Sequence, residues 1–463
     1  MIQRAHAGAD LVTSGVQAPR VRARSQGSWV GTVMISVLIV FMIVPEGFNY
    51  APGRAMPTEG SPVSRLIWLA LLGFGAIVVG TRFGKTKALL RQINPYLLGF
   101  VLLAIASVAW SIAPDVTIRR LVRMVTILLD AMALALLPWD QTRFQSVLRP
   151  VLSVMLIGSI VFVIVSPQLA IEQSKSIELV GAWRGLATQK NGFGSIAAIA
   201  TLLWVQAWLN REAKTWVTLP CGTAAVVCLL ASRSSTSIMA TTFACILLLM
   251  LSRSPRALRR YMPYLIGIFV VTLLVYSLAV LNLVPGLGFV LKPITMMTGK
   301  DLTFSGRTVI WGIINDHIAY RPILGTGYGA YWIGEGITSS PSYDMIRRLY
   351  WYPTEAHNGY LDVINDLGFV GAAVLVAFLL TFVRQGLKLF RTARPQGALF
   401  LALLFEQLIA NLSESRWFNV LTLEFVILTL ATVSMGRILL QQQLDRKAWA
   451  KMARAAAAAA AAR

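Results

Sequence analysis

Glu355-Ala-His-Asn-Gly-Tyr-Leu-Asp362 places an imidazole, two carboxylates and an amide on one short stretch, at the entry to a long apolar segment. An unperturbed imidazole titrates near pH 6.5, so His357 is suited to take a proton from a hydroxyl. The same position also suits an interfacial histidine bonded to a backbone carbonyl, and both readings stay open. Glu355, Asn358 and Asp362 are its supporting candidates. Asn358, Asp362 and Asp366 recur at helical spacing. That spacing makes either a functional polar stripe or a helix start capped and charged to suit its dipole.

A second set is cationic. Arg184 and Lys190 lie in Trp183-Arg-Gly-Leu-Ala-Thr-Gln-Lys-Asn-Gly-Phe-Gly194, Arg233 in Ser232-Arg-Ser-Ser-Thr-Ser237, and Arg307 in Ser305-Gly-Arg-Thr308. Arg119, Arg120 and Arg123 add one more group. Guanidiniums match diphosphate oxygens two at a time; the alternative is snorkelling to lipid head groups. Tyrosines and tryptophans crowd positions 311–360, where an interfacial aromatic belt is the stronger expectation and sugar stacking the weaker. Gly325-Thr-Gly-Tyr-Gly329 reads as a flexible turn rather than a nucleotide loop, because no strand precedes it and the GxGxxG spacing is missing. No DxD-type acidic pair accompanies these groups, so neither a metal nor a cofactor is expected.

These residues must be positioned by membrane helices. The 463-residue chain is 56% hydrophobic and 13% charged, with mean hydropathy +0.66, whereas soluble domains carry about 25% charge. The expected fold is all-α: a polytopic bundle of about twelve spans, with one large periplasmic loop containing short helices. Candidate spans are roughly 29–45, 63–80, 96–113, 121–138, 147–165, 192–209, 215–231, 236–251, 263–284, 358–383, 397–412 and 418–440. Residues 1–28 read as a disordered cytoplasmic tail, 29–284 as helices one to nine, 285–357 as the loop, 358–440 as the last three helices, and 441–463 as a second cytoplasmic tail. Within the loop, Val309, Ile310, Ile313, Ile314, His317 and Ile318 predict an amphipathic helix lying on the membrane surface.

The net charge of +22 excludes nucleic acid once its distribution is followed. With the N-terminus inside, Arg82, Lys85, Lys87, Arg91, Arg143, Arg149, Arg211, Lys214, Arg253, Arg384, Lys388, Arg391 and Arg394 all fall on the cytoplasmic side. Cys221, Cys228 and Cys245 lie inside expected spans and read as small hydrophobes.

The passages Trp183-Arg-Gly with Lys190-Asn-Gly-Phe-Gly194, Ser305-Gly-Arg-Thr-Val-Ile-Trp311 with Arg321-Pro-Ile-Leu-Gly-Thr-Gly-Tyr-Gly329, and Ala356-His-Asn-Gly-Tyr-Leu-Asp362 with Leu367-Gly368 resemble the superfamily of bacterial O-antigen ligases and O-antigen or exopolysaccharide polymerases. Trp110-Ser-Ile-Ala-Pro-Asp115 and the Ser232-Arg233 turn share the likeness, which extends over residues 96–430. The resemblance implies a multi-pass inner-membrane glycosyltransferase with a periplasmic active site and both termini cytoplasmic. It implies an undecaprenyl-diphosphate-linked glycan as donor, a glycan or lipid-linked acceptor, and inversion at the anomeric carbon. Membrane lipids surround the chain, and a flippase and a chain-length regulator of the same pathway are the further partners this reading admits. It implies His357 as base or acceptor-orienting group, Arg307 as a second catalytic residue, and Arg184, Lys190, Arg233 and Arg307 as diphosphate stabilisers.

Polymerase is favoured within the superfamily. The alternative is a ligase that transfers the glycan to the lipid A-core. A lipid-linked oligosaccharide transporter would instead need ionisable groups near the midplane. Asp130, Glu406 and Glu424 are the candidates for that role, and each is equally readable as a paired core residue.

Overall fold

The computed structural model describes residues 28–50, 61–173, 180–253, 307–333 and 353–461, together with positions 255, 260, 261, 264, 265, 267–269, 271, 272, 275, 345 and 347–349. Most of the expected 1–28 tail, span 263–284 and loop 285–357 lies outside the described residues, as do Ser305, Gly306, Tyr343, Tyr350, Trp351 and Tyr352.

The described chain is helical: α1 Ser28–Ile43, α2 Pro62–Thr81, α3 Phe83–Leu90, α4 Pro95–Ala106, α5 Pro114–Leu136, α6 Arg143–Val165, α7 Lys190–Asn210, α8 Thr215–Ala231, α9 Ser235–Arg253, α10 Arg307–Tyr320, α11 Gly359–Thr392, α12 Arg394–Ala410 and α13 Leu423–Ala461. Starts are set locally. Ser61 and Asn94 accept amides of the first turns of α2 and α4, each with proline at the first helical position.

This is an all-α multi-pass membrane protein, but the twelve-span count is not met among the described residues. Six helices are long and apolar enough to cross a bilayer, or seven if Phe83–Leu90 and Pro95–Ala109, bent by 103°, make one span. The shortfall is one of length. α8 and α12 have 17 residues, a rise of about 25 Å against about 30 Å of hydrocarbon. α5 carries three arginines in its first half.

Successive long helices run up and down, so the bundle has two ends. At one end Arg149 pairs with Glu212 at 2.7 Å, Arg394 donates to Leu251 O, and Arg437 donates to Ala135 O. That end holds the basic residues on which the positive-inside reading rests. The other end carries the starts of α2, α5, α7, α9, α11 and α13, and His357 with them. α7 and α13 are central: 78% and 89% of their apolar spans are buried, against 28% in peripheral α2.

Two expectations need correction. The apolar side of α10 does not lie on lipid: Ile310, Trp311, Ile313, Ile314 and Ile318 are buried in the protein, and Trp311 Nε1 donates to Ala356 O at 2.9 Å. Among the described residues the aromatic cluster is not a belt either, because Tyr328, Tyr331, Trp332 and Tyr360 are buried, while Tyr320 remains exposed. The glycine run is a turn with positive φ, as expected, and it is built into the bundle. α11 breaks at Gly368 (φ 65°, ψ −166°), which frees the carbonyls before the break and the amides after it. Residues 322–327 fill those vacated partners: Thr326 N donates to Asn365 O, Gly327 N to Asp366 O, and Phe369 N to Pro322 O. Trp110 Nε1 donates to Leu324 O, and Ile112 N to Thr326 O, from the other side. Gly325, Gly327 and Gly329 all have positive φ. A Cβ on Gly325 would stand 2.6 Å from the Asp366 carbonyl, so only glycine fits this wedge.

Candidate active site

His357 sits just before α11 with φ 52°, a left-handed conformation that non-glycine residues rarely hold. Its neighbours fix it there. Ala356 N donates to Asp362 Oδ2 at 3.1 Å, while Ala356 O accepts from Trp311. On the other side, Asn358 N donates to Ser415 Oγ, and Asn358 Nδ2 to Leu412 O at 3.2 Å. Asn358 Oδ1 caps α11 by accepting from Tyr360 N and Leu361 N. Of the polar stripe seen in sequence, Asn358 is therefore the cap. Asp362 and Asp366 instead hold separate segments: Asp362 Oδ1 accepts from Trp332 Nε1 at 2.8 Å, and Asp366 Oδ2 from Gly329 N at 2.8 Å.

Beside His357 stands a residue the sequence reading passed over. Glu414 lies in the turn between α12 and α13, where Gly359 N donates to both Asn411 O and Glu414 O at 2.9 Å. Asn411 Oδ1 accepts from Arg416 N and Trp417 N, closing the turn. Gly359 is required at this crossing, since a Cβ would stand 2.0 Å from Asn411 Oδ1. Glu414 Oε1 then faces Arg307 Nη2 at 3.5 Å and accepts from Asn191 Nδ2 at 2.8 Å. Asn191 adjoins Lys190 at the start of α7. The one available signal was an acid and an arginine two residues apart in a short turn, Ser413-Glu-Ser-Arg416, between two apolar segments.

Glu355 Oε1 approaches His357 Nδ1 to 3.0 Å, close enough for an ion pair but short of a well-aligned hydrogen bond. Burial alone would lower the imidazole pKa. The Glu355 and Glu414 carboxylates more than offset that, Arg307 opposes them, and the net effect holds it above 6.5. Glu414 is itself raised, by burial first and then by the nearby Glu355 charge.

Arg416, fully enclosed, lies beneath. Its Nη1 is 3.6 Å from Glu406 Oε1, its Nε is 3.4 Å from Glu424 Oε1, and it also donates to Ser195 Oγ. Ser195 Oγ bonds Glu424 as well. Glu406 and Glu424 are thus paired core residues, as one of the two sequence readings had it. Asp130 is buried with neither carboxylate oxygen bonded.

Of the predicted site residues, His357, Glu355 and Arg307 come together around Glu414, and Lys190 is one residue from its partner Asn191. Arg184 and Arg233 belong to a separate loop group at the same end. Arg184 donates to Leu169 O at 2.7 Å and to Tyr50 O at 3.1 Å; Arg233, with φ 49°, donates to Val180 O at 2.6 Å. Both guanidiniums brace the loop that carries Trp183.

An imidazole held at its edge by a carboxylate, with a guanidinium alongside, suits deprotonation of a hydroxyl next to a departing anion. Residues 220–376 match a family described as "O-Antigen ligase". The matched region contains Arg233, Arg307 and His357, whereas Arg184, Lys190, Glu414 and Arg416 come from outside it. The chain is also similar to the "Exopolysaccharide production protein ExoQ" of Rhizobium meliloti (strain 1021), with 24% identity over 293 residues. That alignment covers 62% of this chain and 63% of the relative, less than two thirds of its length.

Glu355, His357 and Glu414 also present donor atoms within 4.8 Å of one another, a set that could take a divalent ion. A cation already stands beside this set, since Arg307 Nη2 lies 3.5 Å from Glu414 Oε1.

A small cleft opens beside Glu355 and is lined by Arg120, Trp332, Glu355, Asp362, Asp366 and Ser415. Its floor is aromatic, with Phe100 and Phe418 stacked at 3.7 Å.

Proposed function

We propose that this protein is an inner-membrane glycosyltransferase that transfers or polymerises oligosaccharide units carried on undecaprenyl diphosphate, on the periplasmic side, during exopolysaccharide or O-antigen assembly. The observation that carries this reading is the meeting of His357, Glu355, Glu414 and Arg307 at the end of the bundle opposite the basic one. By the positive-inside rule the basic end is cytoplasmic, which puts the site outside and both termini inside.

In the step proposed, Nδ1 of His357 faces the Glu355 carboxylate at 3.0 Å and keeps its proton, leaving Nε2 as the base. The acceptor hydroxyl gives its proton to Nε2 as its oxygen bonds the anomeric carbon from the face opposite the leaving group. The bond from that carbon to the diphosphate oxygen breaks, with its electron pair going to the diphosphate. Arg307 stabilises this charge, with Lys190 near it, and the configuration inverts. Arg184 and Arg233, committed to the separate loop that carries Trp183, take no part in this step. No metal is required in this scheme, because Arg307 supplies the positive charge.

Polymerase is the favoured activity, supported by the likeness to an exopolysaccharide production protein; the description of the family supports ligation to the lipid A-core as the second reading. The transporter reading loses support because Glu406 and Glu424 are committed to Arg416. In a purified, unsealed system, His357→Ala and Arg307→Ala abolish transfer while insertion and yield stay normal, and EDTA leaves the wild type active. Wild-type rates in both variants would overturn the assignment. In a deletion strain, single units still attached to their acceptor indicate polymerase, and full-length chains stranded on the carrier indicate ligase.

A further inference from the structure

Arg119, Arg120 and Arg123 take no part in the chemistry above, yet they stand at the same end of the bundle. α2 and α5 run parallel, with Gly75 against Asp130 and, two turns nearer the site end, Trp68 against Arg123. The same register sets Arg65 level with Arg120. Arg119 and Arg123 share one face of α5 at i, i+4, where like charges repel. Arg123 Cζ lies 5.5 Å from the Trp68 ring centre, and Arg119 pairs with Asp115 at 3.0 Å in an exposed contact of the kind that contributes little. Deeper along α2, below these cations, the surface is apolar and open: Leu69 and Ile77 are both more than half exposed, while Val63, Leu66 and Ile118 add exposed apolar surface level with the arginines or just outside them. Cationic above and apolar below, this face complements a lipid with an anionic head.

Arg120 turns the other way. Its Nη2 donates to Trp332 O at 3.0 Å, and it lines the cleft whose other wall includes Glu355. One turn of α5 thus looks outward to lipid and inward to the site.

The geometry points to a second lipid-diphosphate site on the α2–α5 face, formed by Arg65, Arg119, Arg123 and Trp68, which anchors the carrier of the acceptor while Arg307 holds the diphosphate of the donor. This rests on the polymerase reading, in which both substrates are lipid-linked and each needs its own anchor. Guanidiniums above an apolar helix face would hold the diphosphate by paired charge-assisted hydrogen bonds and the polyprenyl chain by burial. The acceptor sugar would then reach His357 along the Arg120 cleft.

The test counts undecaprenyl diphosphate bound to the full chain in micelles by native mass spectrometry. The wild type should bind two equivalents. Arg119→Gln with Arg123→Gln should weaken one of them by about tenfold or more, and the corresponding lysine pair should retain it better, showing that the fold is intact. Arg307→Gln should remove the other. A second equivalent that survives the glutamine pair, or that equimolar phosphatidylglycerol displaces, overturns the proposal. One equivalent lost in Arg307→Gln and untouched by the pair removes the second site but leaves the transferase reading standing. Two equivalents, neither changed by Arg307→Gln, remove the transferase reading instead.

Discussion

Replacing Arg416 with methionine tests whether the ground beneath the site is electrostatic. Arg416 is 4% exposed, Glu406 0% and Glu424 5%, with separations of 3.6 and 3.4 Å. At an effective dielectric of about 20, each contact is worth about 5 kcal/mol of gross attraction. Desolvating the three groups consumes most of that, so the net gain over an apolar core is small. Removing the arginine alone is different, because two carboxylates stay buried without a cation. That costs about 3–5 kcal/mol. The loss of folded full-length protein in micelles on heating is irreversible and reads a rate. If the triad breaks before the rate-limiting step, that rate rises about a hundredfold or more at fixed temperature. Making all three positions neutral, with Glu406→Gln and Glu424→Gln added, should recover most of the loss. An Arg416→Met protein that decays within twofold of wild type would refute the reasoning. So would a triple variant no better than the single. Because Glu414 lies two residues away in the same turn, the single variant should also lose transfer activity before it loses its fold.

The pH profile should report the carboxylates around His357. Their effect holds its pKa above 6.5, and the base works only when deprotonated. Activity should therefore fall as pH drops through that raised value, with an acid limb above 6.5. Glu355→Gln should move the limb to lower pH, and an unmoved limb would separate Glu355 from the base. Gly368→Ala should destabilise strongly, since φ 65° and ψ −166° suit glycine and a Cβ would stand 2.1 Å from Ile323 O. The backbone alone costs about 1–3 kcal/mol. Proteolysis near residues 321–329 should accelerate in that variant, while Gly84→Ala, with open space around its Cα, should behave as wild type.

Several residues were recognisable early because their signal is local. The imidazole of His357, the Ser-Gly-Arg-Thr setting of Arg307 and the cap at Asn358 each depend on a few adjacent positions. The count of twelve spans was not confirmed among the described residues, because hydropathy marks apolar stretches without showing where a helix starts, ends or bends. The apolar stripe of α10 was real, but periodicity cannot tell a lipid-facing side from one packed on another helix. Glu414 and Arg416 went unnoticed because an acid and a base in a short turn carry no pattern of their own.

The chain on its own determined an all-helical membrane protein, the sorting of its positive charge, and a candidate base with a set of candidate cations. These follow from composition and short-range spacing, which no packing arrangement can alter. Only the tertiary structure decided that Glu414, Asn191 and Arg307 meet at His357, that Arg184 and Arg233 brace a different loop, and that the glycine run fills a broken helix. Each of these joins segments far apart in the chain, and such pairings are set by which backbone groups and charges must be satisfied once the helices pack.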